Sequence, residues 1–367
     1  MLEVTREKFD GILKNIANFN GLKSIDRLNS HFTVAPVPAQ NMEKAIQQSS
    51  AFLSEINSGV LVQNQSGQVI GLGSKSRNAQ RNAPNTERNP TDPTDTAEKY
   101  EYRCEKTNYD VAISYEKLDL WAHLPNFQEI FNQLIVEQEA LDRICIGLNG
   151  TSVVSPTDLV KNPMLQDVNI GWLEKMRRAG SKGYLPASAS KNQKIWQITD
   201  TGTGDYINLD QMVFDMNSML DPWYRSRSDL VVLTGYGMLH DKYLKLIGAA
   251  GNDTVKQVAR DMLLANVTLG GRPVYQVPFF PENALCLTTF KNLSIYAQAA
   301  SRRRLLRDEP NRDRVVNYNS VNEAFVVEDM GLAVFAENIQ LLDAGKTAEP
   351  AAPTPASSDD TTGKTGG

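Results

Sequence analysis

The sequence predicts an α+β fold with an extended arm, and three observations carry that prediction. Residues 125–148 form one long amphipathic stretch, and residues 59–118 read as a strand, a long polar tip and a returning strand. From Leu209 onward, short helical stretches alternate with buried strands. At 367 residues the chain has room for two or three domains and a substantial core.

Taken in order, Val4, Phe9, Ile12, Leu13, Ile16 and Phe19 recur at helical spacing, and Asn20-Gly21 stops the run. A Pro-containing joint, HFTVAPVPAQ, spans His31 to Gln40. A second amphipathic stretch near 41–57 carries Met42, Ile46, Phe52, Leu53 and Ile56. Gly59 to Gly71 predicts a strand and turn, and strand sequence resumes at Tyr100 and continues through Tyr109 to Tyr115. Between them, Asn, Arg, Thr, Pro and Asp dominate Ser74 to Lys99. A compact domain rarely keeps so long a structureless segment. Ordering it costs about 1–2 kcal/mol per residue in backbone entropy, so it is expected to reach another subunit.

The strongest helix starts at Pro125, a residue suited to a first turn, and stops at Asn149-Gly150. Phe127, Ile130, Phe131, Leu134, Leu141, Ile144, Cys145 and Leu148 make its apolar stripe. Over residues 125–148 it is a rod of about 36 Å. A turn and a short helix follow over 162–177, then a polar, Gly-rich loop or short hairpin over 179–205. Helices are expected at 209–220, 238–247 and 253–264, with strands at 229–234, 273–280, 284–289 and 293–296. Long strands occupy 315–342, and the Ala/Pro/Thr/Ser/Gly tail from Ala344 is expected to be disordered.

Charge and motifs narrow the function. The 38 basic and 43 acidic residues leave a formal charge of −5, whereas proteins that chiefly neutralise phosphates are basic. Cys104, Cys145 and Cys286 stand far apart, with no CxxC pair, and read as buried free thiols. The N-terminus lacks the basic start, apolar run and cleavage site of a signal peptide. No window approaches the ~18 unbroken apolar residues of a membrane span. His31, His123 and His240 have no metal-ligand spacing. Asp200-Thr-Gly202 has no second copy to share a proton with, and Gly71-Leu-Gly-Ser-Lys-Ser76 does not match a phosphate loop. No cofactor site emerges.

One cluster stands out: Arg302, Arg303, Arg304, Arg307, Arg312 and Arg314 fall within SRRRLLRDEPNRDRVVNY. Three readings are open: contact with another protein subunit, contact with DNA, or a solvated face. Strand sequence flanks the run, acidic residues interleave with it, and aromatics do not. That pattern favours pairing with complementary charge over a single-strand stacking surface. The competing classes for the whole chain are a DNA-binding structural module and an α/β enzyme.

Several long strings then occur in a fixed order: Asp119-Leu-Trp-Ala122, Asn162-Pro-Met-Leu-Gln-Asp-Val168 with Gly171-Trp-Leu173, and Asp221-Pro-Trp-Tyr224. Asp229-Leu-Val-Val232, Val277-Pro-Phe-Phe-Pro281, Asn292-Leu-Ser-Ile-Tyr296, Asp313-Arg-Val-Val-Asn-Tyr318 and Val326-Val-Glu-Asp329 complete the set. Together they resemble the major capsid proteins of P2-like tailed bacteriophages, over roughly residues 1 to 340. The resemblance implies the HK97-like capsid fold and a structural protein rather than an enzyme. It implies a removable N-terminal segment over 1–32, processed by a phage protease near His31, Phe32, Thr33 and Val34. An N-arm would cover 33–58 and an E-loop 59–118, with Thr86, Glu87 and Arg88 at its tip. The peripheral domain would cover 119–205 with the 125–148 spine helix, the axial domain 206–292, and returning strands 293–342, leaving 343–367 as the tail. The arginine run would lie where capsomers meet. The implied partners are copies of the chain in hexamers and pentamers, a scaffolding/protease protein and the portal. Double-stranded DNA would be enclosed rather than specifically bound. The implied location is the virion capsid, assembled in the host cytoplasm, with no membrane involved.

Overall fold

The structure, a computed structural model, describes residues 1–342 except 23, 25–26, 29, 70–78, 80, 82–86, 88–99, 125–126, 181–182, 186–195, 200–203 and 239–267. The first helix, α1 (Glu3–Phe19), leads to a two-residue strand, β1 (Phe32–Thr33). Pro36 opens α2 (Pro36–Ser49), so half of the expected Pro-rich joint is the start of a helix; a Pro ring suits a position whose N–H has no helical partner. A break at Ser50 separates α3 (Ala51–Glu55). Strands β2 (Asn57–Val62), β3 (Ser66–Val69), β4 (Tyr100–Arg103), β5 (Glu105–Asn108) and β6 (Val111–Ser114) follow. Next come α4 (Tyr115–Trp121), the long helix α5 (Phe127–Asn149) and α6 (Trp172–Arg178). Short strands β7 (Tyr184–Leu185) and β8 (Trp196–Thr199) precede α7 (Leu209–Met219). The chain then runs through β9 (Val231–Thr234), β10 (Thr268–Leu269), β11 (Arg272–Gln276) and β12 (Leu285–Thr288). It ends with β13 (Leu293–Gln298), β14 (Arg303–Glu309), β15 (Arg314–Val327), β16 (Val334–Ala336) and β17 (Ile339–Leu342).

Two sheets organise these elements. In the larger, β15 is the shared strand. Along its first half it pairs with β14 and β6, and along its second half with β13 and β5, all antiparallel. β2 adds parallel to β13, and β1 adds antiparallel to β14. With neighbours on both flanks and packed faces above and below, most of β15 is buried, including Val315, Val316, Val321, Ala324, Phe325, Val326 and Val327. The second sheet has the order β10-β11-β9-β12-β16-β7. Its strands β9 and β12 are buried throughout, as the apolar runs at 230–233 and 284–287 predict.

The 179–205 segment differs from the expected loop or hairpin. β7 and β8 do not pair with each other: β7 lies parallel to β16, and β8 lies parallel to β17. Their partners come from the far end of the chain, which no local pattern encodes. The helices expected at 238–247 and 253–264, and the tail, lie outside the described residues apart from Met238. Among the described residues, no helix is long and apolar enough to cross a membrane.

The main core gathers α2, α3, α5 and α6 between the two sheets, with Trp172 wholly buried between Phe52 and Phe325. A second cluster packs Met212, Val213 and Met216 of α7 on β12 and β16. A third forms under α1, where Phe9 and Ile12 sit on Leu118, Phe131, Ile135, Leu306 and Val315. The predicted apolar face of α1 is therefore real at its centre and exposed at its ends, Val4 and Phe19. Cys104, Cys145 and Cys286 are all buried and free.

Candidate inter-subunit and processing surface

The arginine run is the β14–β15 hairpin. Pro310–Arg312 makes its tight turn, and Asp313 takes a left-handed conformation (φ 47°) to close it. In β14, Leu305 and Leu306 are buried while Arg303 and Arg307 face out. Arg312 is exposed at the turn. Arg314 is turned inward on the hairpin, where its Nε donates to Glu309 Oε2 at 2.8 Å. Arg304 is half-buried and donates from Nε to Asn317 Oδ1 at 2.7 Å, with no carboxylate paired to it among the described residues.

Arg302 departs from the expectation set for the run. It is 4% exposed, and its guanidinium is used within its own chain, on Glu43, on both Glu139 oxygens (2.8 and 3.3 Å) and on Asn319 Oδ1 at 3.2 Å. It sits just before β14 begins, where the chain turns in from β13. Within its own chain that guanidinium is already fully engaged.

The expected processing residues meet the same hairpin. Phe32 registers with Arg304 and Thr33 with Arg303, and Val34 N–H donates to the Arg302 carbonyl at 3.0 Å. His31 and Thr33 are exposed, Phe32 is half-buried and Val34 is buried. Two groups almost 270 residues apart in sequence thus form one edge of the large sheet; nothing in either segment signals the pairing. On the N-terminal side of this edge, α1 is held by polar ties as well as by its apolar face. Leu2 N–H and Thr5 Oγ1 donate to Asp119 Oδ1 at 2.8 and 2.6 Å, and Lys8 Nζ donates to the Ala122 carbonyl at 2.6 Å. Arg6 pairs with Asp308 of β14 at 2.6 Å. Of the expected E-loop tip, Glu87 is exposed, and Thr86 and Arg88 lie outside the described residues. His31 and His123 are exposed, and His240 and Asp200 lie outside the described residues.

Beneath this surface lies an ionic cluster that the sequence reading missed. Arg143 is wholly buried and reaches Glu43 at 2.8 and 3.1 Å and Glu139 at 3.1 Å. Its Nε lies 3.1 Å from Glu323 Oε2, near enough for attraction but off the hydrogen-bond direction. Tyr109 hydroxyl donates to Glu323, and Asn319 Nδ2 donates to Glu139 at 2.8 Å. Glu43 comes from α2, Glu139 and Arg143 from α5, Glu323 from β15 and Arg302 from the turn into β14, so five charges tie four parts of the chain together. A signal existed: Phe131, Ile135, Glu139 and Arg143 form one i, i+4 row, and the first two belong to the predicted apolar face or flank it. The row is buried along its length, whereas Leu134 and Leu141 of the predicted stripe are 37% and 41% exposed.

Three carboxylates face two guanidiniums, and the pKa values follow. Burial pushes Glu43 up, but the Arg143 and Arg302 charges outweigh it and bring the carboxyl down to about 2. Burial raises Glu323, and Arg143 only partly opposes it. The two have opposite pH signatures. Glu43, depressed in the fold, stabilises the chain above the unfolded-state value near 4.5, and that contribution is lost as pH falls from there towards 2. Glu323, raised in the fold, holds its proton to higher pH than a free carboxyl does, so its ionisation costs stability as pH rises through the elevated value. Thermal melting of the unassembled chain should therefore hold or rise slightly from pH 7 towards 5 and fall below about 4.5. Glu43→Gln should lower the neutral-pH melting point and flatten the acid limb; an acid limb of unchanged steepness would remove Glu43 from this role.

The geometry is that of two large sheets packed around a long amphipathic helix, with an arginine-bearing hairpin at one sheet edge. Among the described residues, no group of three or more His, Cys, Asp or Glu side chains is placed to hold a metal. The sequence model of the phage major capsid protein, P2 family, matches residues 8–339. The chain belongs to that family. It is 39% identical over 347 residues to the major capsid protein of Serratia phage KSP20, covering 92% of this chain and 97% of that one. It is 36% identical over 361 residues to the capsid proteins of Escherichia phage P2, covering 96% of this chain and all of the relative. A chain of the solved satellite phage P4 procapsid, a structure that includes the size determination (Sid) protein, superposes with a TM-score of 0.76 at 33% identity, covering 94% of this chain and 99% of that chain. The fold is the HK97-like capsid fold, and the protein is a structural component of a phage shell.

Proposed function

We propose that this chain assembles into hexamers and pentamers that close an icosahedral shell around double-stranded DNA, with no catalytic role. On this reading residues 33–58 are the N-arm, 59–118 the E-loop, 119–205 the peripheral domain, 206–292 the axial domain and 293–342 the returning strands. Scaffold, protease and portal are its partners, and assembly takes place in the host cytoplasm. The observation that carries the reading is the outward row Arg303, Arg307 and Arg312, cations on the β14–β15 hairpin, with Arg304 beside them paired to no carboxylate among the described residues. Such a row suits acidic residues of a neighbouring subunit, because interface charge sets register and partner choice. Many weak contacts of this kind close a shell together. The test replaces Arg303, Arg307 and Arg312 with Ser, leaves Arg302 in place, and co-expresses the chain with its scaffold. Electron microscopy should show a loss of closed shells; shells of normal yield would overturn the role of the hairpin.

Residues 1–32 are read as the segment removed on maturation. Support comes from the arrangement of α1, a helix bound to the surface of the large sheet, followed by β1 at the sheet edge. Proteases take extended substrate, so β1 must lift from β14 before cleavage. Intact-mass measurement of protein from mature particles should show loss of a segment ending near His31–Val34. A mass that includes Met1 would defeat the assignment.

A further inference from the structure

A cavity of about 300 Å³ opens between the β3–β4 hairpin and α6. Val69 and Tyr100 line it from the hairpin, Ile170 and Lys175 from the α6 side, and Val326 and Met330 from below. The walls are mostly apolar, and Lys175 stands out among them. Its side chain is half-buried, and no hydrogen bond or ion pair engages its amine among the described residues. Burial, opposed in part by the Cys104 thiol and aided by the nearby Arg178 charge, draws that amine down to about 8. Two carboxylates are close by, and neither pairs with it. Glu174 is held by Arg177 and by Arg178 at 2.7 Å. Glu101 lines the cavity from exposed β4 and makes no ion pair with Lys175.

A desolvated ammonium without a counter-charge is costly in a finished structure, and an opposite charge within about 4–6 Å relieves it. We infer that this cavity receives a carboxylate side chain, Asp or Glu, from another copy of the chain, and that Lys175 is its partner. Charge complementarity selects the occupant: the empty partner of a lysine in an apolar recess is an acid, and copies of this chain are what surround it in a shell. This rests on the assembly reading above. The consequence for the fold is local. β3 and β4 are joined to each other by four register pairs and lie at the root of residues 70–99. A side chain wedged between β3–β4 and α6 would touch both elements at once.

The test mixes ¹⁴N- and ¹⁵N-labelled chains, assembles them, and treats shells and free subunits with a water-soluble carbodiimide, which joins an amine to a carboxylate only in contact. Mass spectrometry should find Lys175 linked to an Asp or Glu peptide of the other isotope in shells, and no such link in free subunits. Acetylation of Lys175 at pH 8 should slow by about tenfold or more on assembly, because an amine paired with a carboxylate is protonated. Lys175→Met separates a partner-binding role from a structural one. It should leave the melting point of the free subunit unchanged or raised, since it removes an uncompensated charge, yet lower shell stability. Shells in which Lys175 is linked only to its own chain, or labels as fast as in the free subunit, would overturn the inference and leave the assembly reading standing. Failure of the unmodified chain to form shells would overturn both.

Discussion

Arg143→Met should cost about 3–5 kcal/mol, the range for breaking a buried ion pair by removing one partner. Methionine matches much of the arginine volume, so the loss isolates the charge. It would leave Glu43, Glu139 and Glu323 facing Arg302 alone, and Arg302 does not reach Glu323. The cation over the Tyr109 ring, 5.8 Å from its centre, would go as well. In a domain of 150–250 residues, each kcal/mol moves the melting point by about 2–4 °C, so a fall of several degrees or a loss of soluble chain is expected. The double variant Arg143→Met with Glu323→Gln should recover part of it, because the carboxylate left stranded no longer carries charge. Differential scanning calorimetry or a thermal-shift assay on the unassembled chain decides this. A single variant melting with the parent, or a double variant worse than the single, would show that the cluster is not the junction of α2, α5 and the large sheet.

The second large effect is at the joint between α5 and α6. Gly171 precedes α6 in extended backbone (φ −80°), where any residue is conformationally allowed, so only space restricts it. A Cβ there would lie 2.4 Å from the Gly147 carbonyl oxygen and 2.6 Å from that of Ile146. Both obstacles are helix backbone, which cannot swing aside. Gly147 has the reciprocal constraint, with its own Cβ position 2.3 Å from the Trp172 ring. The two helices approach through paired glycines, and Trp172 fills the remaining gap and donates from its indole to the Ser294 carbonyl at 3.0 Å. Gly171→Ala should cost about 1–3 kcal/mol or more, as overpacking does, and part the helices. Gly11→Ala is the control. Nothing lies within 4 Å of its Cβ position, and alanine favours a helix interior over glycine by about 1 kcal/mol, so it should be neutral or stabilising. Equal melting points for the two variants would refute the close-approach argument.

Periodicity found most elements because their apolar spacing is local. Helices α1, α5 and α7 and strands β9, β12 and β13 lie within a few residues of where the pattern put them. Gly171-Trp172-Leu173 stood out as a string in the sequence, and the reason for that string is the joint just described. Periodicity failed where a residue's environment comes from elsewhere. It leaves Glu139 and Arg143 off the apolar stripe; their burial becomes tolerable only once Glu43, Arg302 and Glu323 arrive from distant segments. It could not find β1, whose two residues have no strand signal apart from the edge of β14 on which they lie, nor the split of β7 and β8 between different sheets. It treated six arginines alike, and the fold sorts them: Arg302 inside, Arg304 on Asn317, Arg314 on Glu309, and Arg303, Arg307 and Arg312 outward.

By itself, then, the order of residues determined which segments become helix and strand, that the charge balance does not suit a phosphate-neutralising protein, and, through its long ordered strings, the capsid family to which the chain belongs. Tertiary structure alone decided which charges are buried, which segments share a sheet edge, and where an unpaired lysine lines a cavity. The physical reason is range. Backbone propensity and apolar spacing act over a few residues, whereas the desolvation of a charge depends on every group that folding brings within a few ångströms of it.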